Sequence, residues 1–482
     1  MTPSQPDPPQ LAIDSRLIAG IVASAFFMEM LDSAIINTSL PQMAESFQVR
    51  PLDLSIGITI YLMSAATFVP LSGWLADRFG SRVVFMWAIG VFTLSSLACG
   101  LVTNLTQFTV ARALQGIGGA LMVPVGRVVV LRHTEKSDLL RATALITWPA
   151  LLAPVIAPVL GGFITTYSTW RWNFLLNVPI GILGMLLVFK FIPDVREAER
   201  KNLDWLGFLL SASALLTLLY GLDALTQAEV HWQAPTAWVA AGLILGVLSI
   251  RHFHRASAPL VDLSAARLPT FAISSITSGA AFRTAINATP FLLPLLFQVG
   301  FGLNPLQSGT LVLVYFLGNI AIKPLTSPTL RRFGFRSVTV VNGIFAGLAI
   351  MACAAFSAQT QHGLIMAVLL VAGATRSMQF TALNTLTFAD ISASQRSSAS
   401  TLTSMLQQLV AVLGVALGAL LLNGSQILRH GDRVDLTDFR IGFIAVGLLA
   451  LVSAVGFLRL PSHAGAEVSG HLRGELANRT AR

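Results

Sequence analysis

Charge is what this chain has least of. Only 11% of its 482 residues are Asp, Glu, Lys or Arg, where a soluble domain carries about 25%. Apolar residues make up 54% and the mean hydropathy is +0.72, so a water-soluble globule is excluded. Cysteine is nearly absent. Cys99 and Cys353 both sit in apolar segments, so neither a disulfide nor a metal framework is readable. The net charge of +9 would suit a nucleic-acid binder. However, the basic residues fall in short breaks between apolar runs, with no stacking aromatics among them, so nucleic acid is not an expected partner. An ATP-driven pump needs a Gly-rich loop ending in Lys-Ser or Lys-Thr, and Lys136-Ser137 has no glycine ahead of it. A His-Glu-x-x-His or Gly-x-Ser-x-Gly constellation is also lacking, and His231, His252 and His254 lie in or beside polar breaks. No enzyme and no cofactor are expected.

What remains is apolar length. Fourteen apolar segments follow one another, roughly 17–40, 54–75, 83–103, 105–126, 142–166, 174–192, 205–225, 235–250, 270–298, 306–328, 337–357, 363–388, 398–422 and 438–460. Each approaches the ~20 residues that cross a bilayer as a helix. If the N-terminus is cytosolic, the inner breaks hold Arg16, Arg78, Arg82, Arg127, Arg132, Lys136, Arg141, Lys190, Arg196, Arg200, Lys201, Arg251, Arg255, Arg267, Arg331, Arg332, Arg336 and Arg396. The outer breaks hold only Arg50, Arg171, Arg429, Arg433 and Arg440. The positive-inside rule then places both termini in the cytosol of a multi-pass protein, as in a bacterial inner membrane.

The chain also repeats itself. Arg78-Phe79-Gly80-Ser81-Arg82 follows the second segment, and Arg332-Phe333-Gly334-Phe335-Arg336 follows the tenth, with Gly334 standing 254 residues after Gly80. Setting aside the 64 residues of 205–268 leaves 190, or six helix-plus-loop units of about 32 residues. The expected plan is a tail 1–16, six helices in 17–204, an inserted pair in 205–268, six helices in 269–460, and a tail 461–482.

Inside these segments lie a few charges, each costing roughly 2.5–3.5 kcal/mol near mid-membrane. Glu29 and Asp32 stand in the first run, about 18 and 22 Å deep if Leu17 marks the surface. Arg112, Arg283 and Arg376 lie in the fourth, ninth and twelfth. Paired carboxylates at such depth point either to proton coupling in a carrier or to a structural ion pair.

Gly73-Trp74-Leu75-Ala76-Asp77-Arg78-Phe79-Gly80-Ser81-Arg82 resembles the loop motif of the major facilitator superfamily. Arg112-Ala113-Leu114-Gln115-Gly116 with Gly118, Gly119 and Pro124 resembles its fourth-helix motif. Ala153, Ala157-Pro158 and Gly161-Gly162 resemble the fifth-helix antiporter motif, with alanine at two glycine positions. The stretches Trp170 to Gly181, and Leu31-Asp32 with Asn37 and Leu40-Pro41, are similar to the fourteen-helix drug:proton antiporter subfamily, although Ala34 stands where that subfamily has Thr.

The resemblance implies an all-α integral membrane protein with two six-helix halves and two inserted helices, a central cavity lined by runs one, four, nine and twelve, and transport driven by the proton gradient. Every deeply placed charge then falls on a cavity helix. Asp32 becomes the main coupling acid, with Glu29, Arg112 and Gln115 as its partners. The expected cavity residues are Met28, Asn37, Tyr61, Trp148, Arg283, Asn287, Arg376, Gln379 and Asn384. Gly73, Asp77, Arg78, Gly80 and Arg82, with Pro158, Gly161 and Gly162, are implied in gating. Gly73 is assigned to close helix approach and Gly80 to a tight turn. Three arginines against two acids favour anionic or zwitterionic amphipaths over lipophilic cations. The expected function is proton-coupled efflux of small amphipathic molecules by a monomeric carrier, with or without accessory efflux proteins. Proton-coupled uptake and a transport-silent receptor or scaffold are the alternatives.

Overall fold

A computed structural model describes residues 15–132, 134, 139–193, 203–225, 233–257, 259–392, 395–462 and 464–465. Most of both terminal tails, and Lys136, Arg196, Arg200, Lys201 and His231, lie outside the described residues. The described chain is helical: α1 (Ser15–Ile35), α2 (Leu40–Phe47), α3 (Ser55–Phe68), α4 (Leu71–Phe79), α5 (Ser81–Leu101), α6 (Leu105–Arg132), α7 (Leu139–Tyr167), α8 (Trp172–Leu175), α9 (Asn177–Phe191), α10 (Trp205–Ala224), α11 (Gln233–Arg255), α12 (Pro269–Phe271), α13 (Ser278–Leu295), α14 (Pro305–Ala321), α15 (Lys323–Ala352), α16 (His362–Thr387), α17 (Arg396–Leu428) and α18 (Leu436–Gly456). Every apolar segment of the sequence falls on one of them. Among the described residues twelve helices are long and apolar enough to cross a membrane, and two shorter apolar helices, Leu152–Tyr167 and Pro305–Ala321, accompany them.

The repeat is visible in the backbone. Gly80 ends α4 at φ 91°, ψ 136°, and Gly334 breaks α15 at φ 72°, ψ 164°. Both values lie where a side chain would be strained, so glycine is what lets each helix stop and restart within one residue. The expected partner in the first loop, Gly73, behaves differently. It is exposed, and a Cβ built on it meets nothing within 4 Å. No helix packs on that face of α4, so the close approach assigned to Gly73 is not made here.

The first half packs α1 on α7, α5 on α6 and α9, and α3 on α6. The second packs α14 on α16, α15 on α16 and α18, and α13 on α17 and α18. The inserted helices α10 and α11 pair with each other and reach the rest mainly through α3. Phe68–Phe208 and Trp74–Trp205 ring contacts, 5.7 and 6.4 Å between centroids, fix that edge. Their outer faces (Leu206, Leu209, Leu243, Ile244, Val247) are exposed apolar surface, as lipid requires.

The halves meet where α7 faces α14 and α3 faces α17. Gly161 lets α7 approach α1: its Cβ would stand 2.6 Å from Ile35 Cγ1. Gly162 and Gly309 do the same across the halves, against the Pro305 and Pro158 carbonyls. Polar bonds reinforce this end. Gln298 donates to the Thr38 carbonyl (2.9 Å) and accepts from Gln42 (3.1 Å), Leu306 N–H donates to Thr166 Oγ1 (3.2 Å), and Arg50 donates to Asn423 Oδ1 (3.1 Å).

Candidate functional site

At the centre of the first half lies a closed polar network. Asp32 and Arg112 are both fully buried and form an ion pair, Nη1 to Oδ2, at 2.6 Å. The other carboxylate oxygen, Oδ1, accepts from Gln115 Nε2 (2.9 Å) and Asn177 Nδ2 (2.8 Å). Gln115 in turn accepts from Arg112 Nη1 (2.6 Å) and donates to Ser96 Oγ (2.6 Å). Arg112 Nε donates to the Gly57 carbonyl (3.2 Å), and its guanidinium lies 4.3 Å from the Tyr61 ring centroid. Thus α1, α3, α5, α6 and α9 all contribute, α3 and α6 with two residues each. Charges at this depth are costly unless paired and hydrogen-bonded, and this pair is both.

Glu29 has a different setting. It is buried, and its Oε2 finds no hydrogen-bond partner. The Tyr61 hydroxyl is likewise unpartnered. Both groups border the space above Gly119, where a Cβ would stand 2.7 Å from the hydroxyl and 3.5 Å from Glu29 Oε1. Arg127 acts on Glu29 electrostatically without bonding to it. The two acids treated together by their spacing are therefore separated: both oxygens of Asp32 accept hydrogen bonds, while Glu29 Oε2 has no partner.

In the second half Arg283 is 2% exposed and has no carboxylate partner. It donates to the Ser274 carbonyl (2.8 Å) and to Asn384 Oδ1 (3.0 Å), which also accepts from Gln407 Nε2 (3.1 Å). Arg376 is half-buried with its guanidinium 4.9 Å from the Phe380 ring centroid.

Several expected cavity residues lie elsewhere. Met28 is 1% exposed and belongs to the apolar core cluster of the first half, together with residues of α3, α5 and α6, rather than lining an opening. Gln379 is fully buried and ties α16 to α15, donating to the Thr339 carbonyl (3.0 Å) and accepting from Asn342 (2.9 Å). Tyr61 is covered by Arg112, and Asn287 packs its Cβ against Gly414 of α17. Asn37 closes the 3-10 turn after α1 by donating to the Ala34 carbonyl (3.4 Å). Asn384 and Trp148 are exposed. In the loop motif Arg78 stacks on Trp74 (5.7 Å), and Arg82 stacks on Phe189 (5.2 Å) while donating to its carbonyl. Asp77 is half-buried.

Ser96 and Asn177 were not singled out by sequence reasoning as network members. Their signal was available, since each is a polar residue inside an apolar run.

Two repeated helical halves meeting around buried charge define a membrane carrier. The family model of the Major Facilitator Superfamily matches residues 22–415 and again 271–477, and the chain belongs to that superfamily. It is 33% identical over 460 residues, covering 94% of this chain and 96% of the relative, to "Putative multidrug resistance protein MdtD" of Salmonella paratyphi A. The protein of that name from Escherichia coli O157:H7 is 34% identical over 444 residues, covering 92% and 94%. Both agree with the resemblance to the drug:proton antiporters. Among solved structures the fold is shared with a D-xylose–proton symporter (TM-score 0.68, 14% identity, 93% of this chain and 98% of that one). It is shared equally with the POT family transporter PepTSo (TM-score 0.68, 13% identity, 94% and 98%). The chain is a multi-pass membrane transporter of small molecules and not an enzyme.

Proposed function

We propose that this transporter is a proton-driven efflux carrier for drugs or similar small amphipathic molecules, working by alternating access between its two halves. The observation that carries the reading is the buried Asp32–Arg112 pair, in which every partner of the carboxylate is a donor. A proton arriving at Asp32 cancels the negative charge that Arg112 is paired with, which weakens the pair and frees the guanidinium to rearrange. Protonation is thereby tied to the packing of α1 against α6 and α9, and this is the coupling a carrier needs. Gln115 relays the change to Ser96, and Glu29, with its unbonded oxygen, tunes which substrates are accepted. Arg283, Arg376 and Asn384 face the substrate from the second half.

In this reading the chain crosses the membrane fourteen times. Residues 17–204 and 269–460 form the halves and 205–268 the peripheral pair, with both termini in the cytosol of a bacterial inner membrane. The contacts of Gly161, Gly162, Pro158 and Gly309 then close the outer side. Asp77, Arg78 and Arg82, together with the turn at Gly80, act as the inner latch. The carrier works as a monomer, and accessory efflux proteins are not required for the test. Inverted vesicles holding the protein and a proton gradient should lose part of that gradient on adding a substrate. Asp32→Asn should abolish the response. A response to no compound at any gradient would refute the reading.

A further inference from the structure

The two halves share helices but not charges. The 254-residue step from Gly80 to Gly334 also carries Tyr61 to Tyr315 and Gly119 to Gly373. Both tyrosines are buried, and each has its glycine packed against it. Each also lies beneath an arginine, Arg112 at 4.3 Å and Arg376 at 5.9 Å from the ring centroid. In the same register Glu29 falls on Arg283. An acid of the first half is thus replaced by a base in the second.

Among the described residues no carboxylate pairs with that base. The sequence has no Asp or Glu between Asp262 and Asp390. Asp390 accepts from Thr270 (2.7 Å), and Asp435 and Asp438 are held by Arg429. Arg283 meets only a carbonyl and an amide oxygen, and its Nε has no partner. Arg376 Nε has none either. The two guanidiniums converge on one ring, Phe380, at 6.0 and 4.9 Å from its centroid. Lys323 joins them: its Nζ donates to Thr381 Oγ1 (3.0 Å), one residue from Phe380, and it lies within the electrostatic range of Arg376. Two guanidiniums on one aromatic ring and a lysine bonded to the next residue, with orphaned Nε donors and no carboxylate partner among the described residues, form a site short of an anion.

We infer that Arg283, Arg376 and Lys323 form the anion-binding end of the substrate site, receiving the carboxylate or sulfonate of a small aromatic amphipath whose ring lies against Phe380. The inference deepens the efflux reading and rests on it only for calling the ligand a substrate. The Asp32–Arg112 pair adds no net charge, so the cluster sets the sign of the preferred ligand.

The test uses two probes of equal shape and opposite charge, naphthoate and naphthylmethylammonium, titrated calorimetrically into full-length protein in lipid nanodiscs. Naphthoate should bind about tenfold or more tightly than the cation, the value of one charge-assisted contact. Arg376→Gln should remove that advantage without weakening the cation, and Arg376→Lys should keep most of it. Because Arg283→Gln removes a buried hydrogen-bonding group and can impair folding, the half-buried Arg376 carries the decision, with Lys323→Gln as an independent exposed variant expected to weaken naphthoate a few-fold. Equal binding of the two probes, tighter binding of the cation, no binding of either, or naphthoate binding indifferent to Arg376 and Lys323 would each overturn the inference. Proton-coupled export of a cationic dye without naphthoate binding would sink this inference and leave the efflux reading standing. Arg376-dependent naphthoate binding with no proton response to any compound would do the reverse.

Discussion

Replacing Asp32 by Asn keeps the shape of the side chain but inverts half of its hydrogen-bonding. The native carboxylate accepts three times: from Arg112 at 2.6 Å, Gln115 at 2.9 Å and Asn177 at 2.8 Å. An amide has one acceptor oxygen. If that oxygen faces Arg112, the new NH2 confronts the amides of Gln115 and Asn177; turned the other way, it confronts the guanidinium. Either arrangement leaves Arg112 without a counter-charge in a site with no water-exposed surface. Breaking one partner of a buried pair costs about 3–5 kcal/mol. Removing the charge of both should cost less, because no uncompensated ion remains. We therefore expect Asp32→Asn to lower thermal stability in detergent markedly, and Asp32→Asn combined with Arg112→Gln to recover much of that loss. Both should be inactive in the inverted-vesicle assay. If Asp32→Asn keeps wild-type stability and full proton-coupled transport, the pair is neither the electrostatic centre of this half nor its coupling element.

Glu29→Gln replaces a buried carboxyl that has an unbonded oxygen, so it should leave stability unchanged or raised while changing the order of preferred substrates in growth-inhibition panels; loss of proton coupling with retained folding would assign the coupling role to Glu29 instead. Gly162→Ala places a methyl against the Pro305 carbonyl, a backbone atom that cannot rotate away, so spin labels placed on α7 and α14 should report an opened interface, and an unchanged distance would show that this contact is not tight. Asp204 caps α10, accepting from Gly207 N–H (2.8 Å), His252 Nε2 (2.8 Å) and Leu260 N–H (3.1 Å). Burial works against its charge, but these donors outweigh it and hold the carboxyl below the usual range. Its stabilisation is therefore present at neutral pH and is lost as pH falls through that lowered value. Asp204→Ala should cost about 0.5–2 kcal/mol, the worth of an N-cap, seen as a lower melting temperature at pH 7 and a shrinking difference in acid.

The helices were legible in the sequence because lipid demands length and apolarity in one continuous stretch, which composition reports directly. The turn at Gly80 and its echo at Gly334 were legible for a related reason: a positive φ nearly restricts the position to glycine. Side-chain direction was not. Met28 and Asp32 are four residues apart on α1, yet one packs into the apolar core and the other into the polar network. The spacing fixes their relative angle, while the neighbours they meet come from α5 and α6, far along the chain. Gln379 misled for the same reason. A polar residue in an apolar helix can line a cavity or bond a neighbouring helix, and only the presence of Asn342 across the interface decides.

That distinction separates the two halves as well. In the first, Ser96, Gln115, Asn177, Asp32 and Arg112 bond to one another in a set in which the charges cancel, although Arg112 Nη2 and Asn177 Oδ1 have no hydrogen-bond partner. In the proposed mechanism this set is the part that responds when a proton is added or lost. In the second, Arg283 is held by neutral acceptors and Arg376 by rings, and among the described residues neither is paired with a carboxylate, which is where the inferred anion would enter. Under the proposed function, the proton-responsive element and the ligand-responsive element belong to opposite halves. Coupling then requires no direct contact between proton and substrate. Each has only to favour a different packing of the interface formed by α7 with α14 and α3 with α17, where the two halves meet.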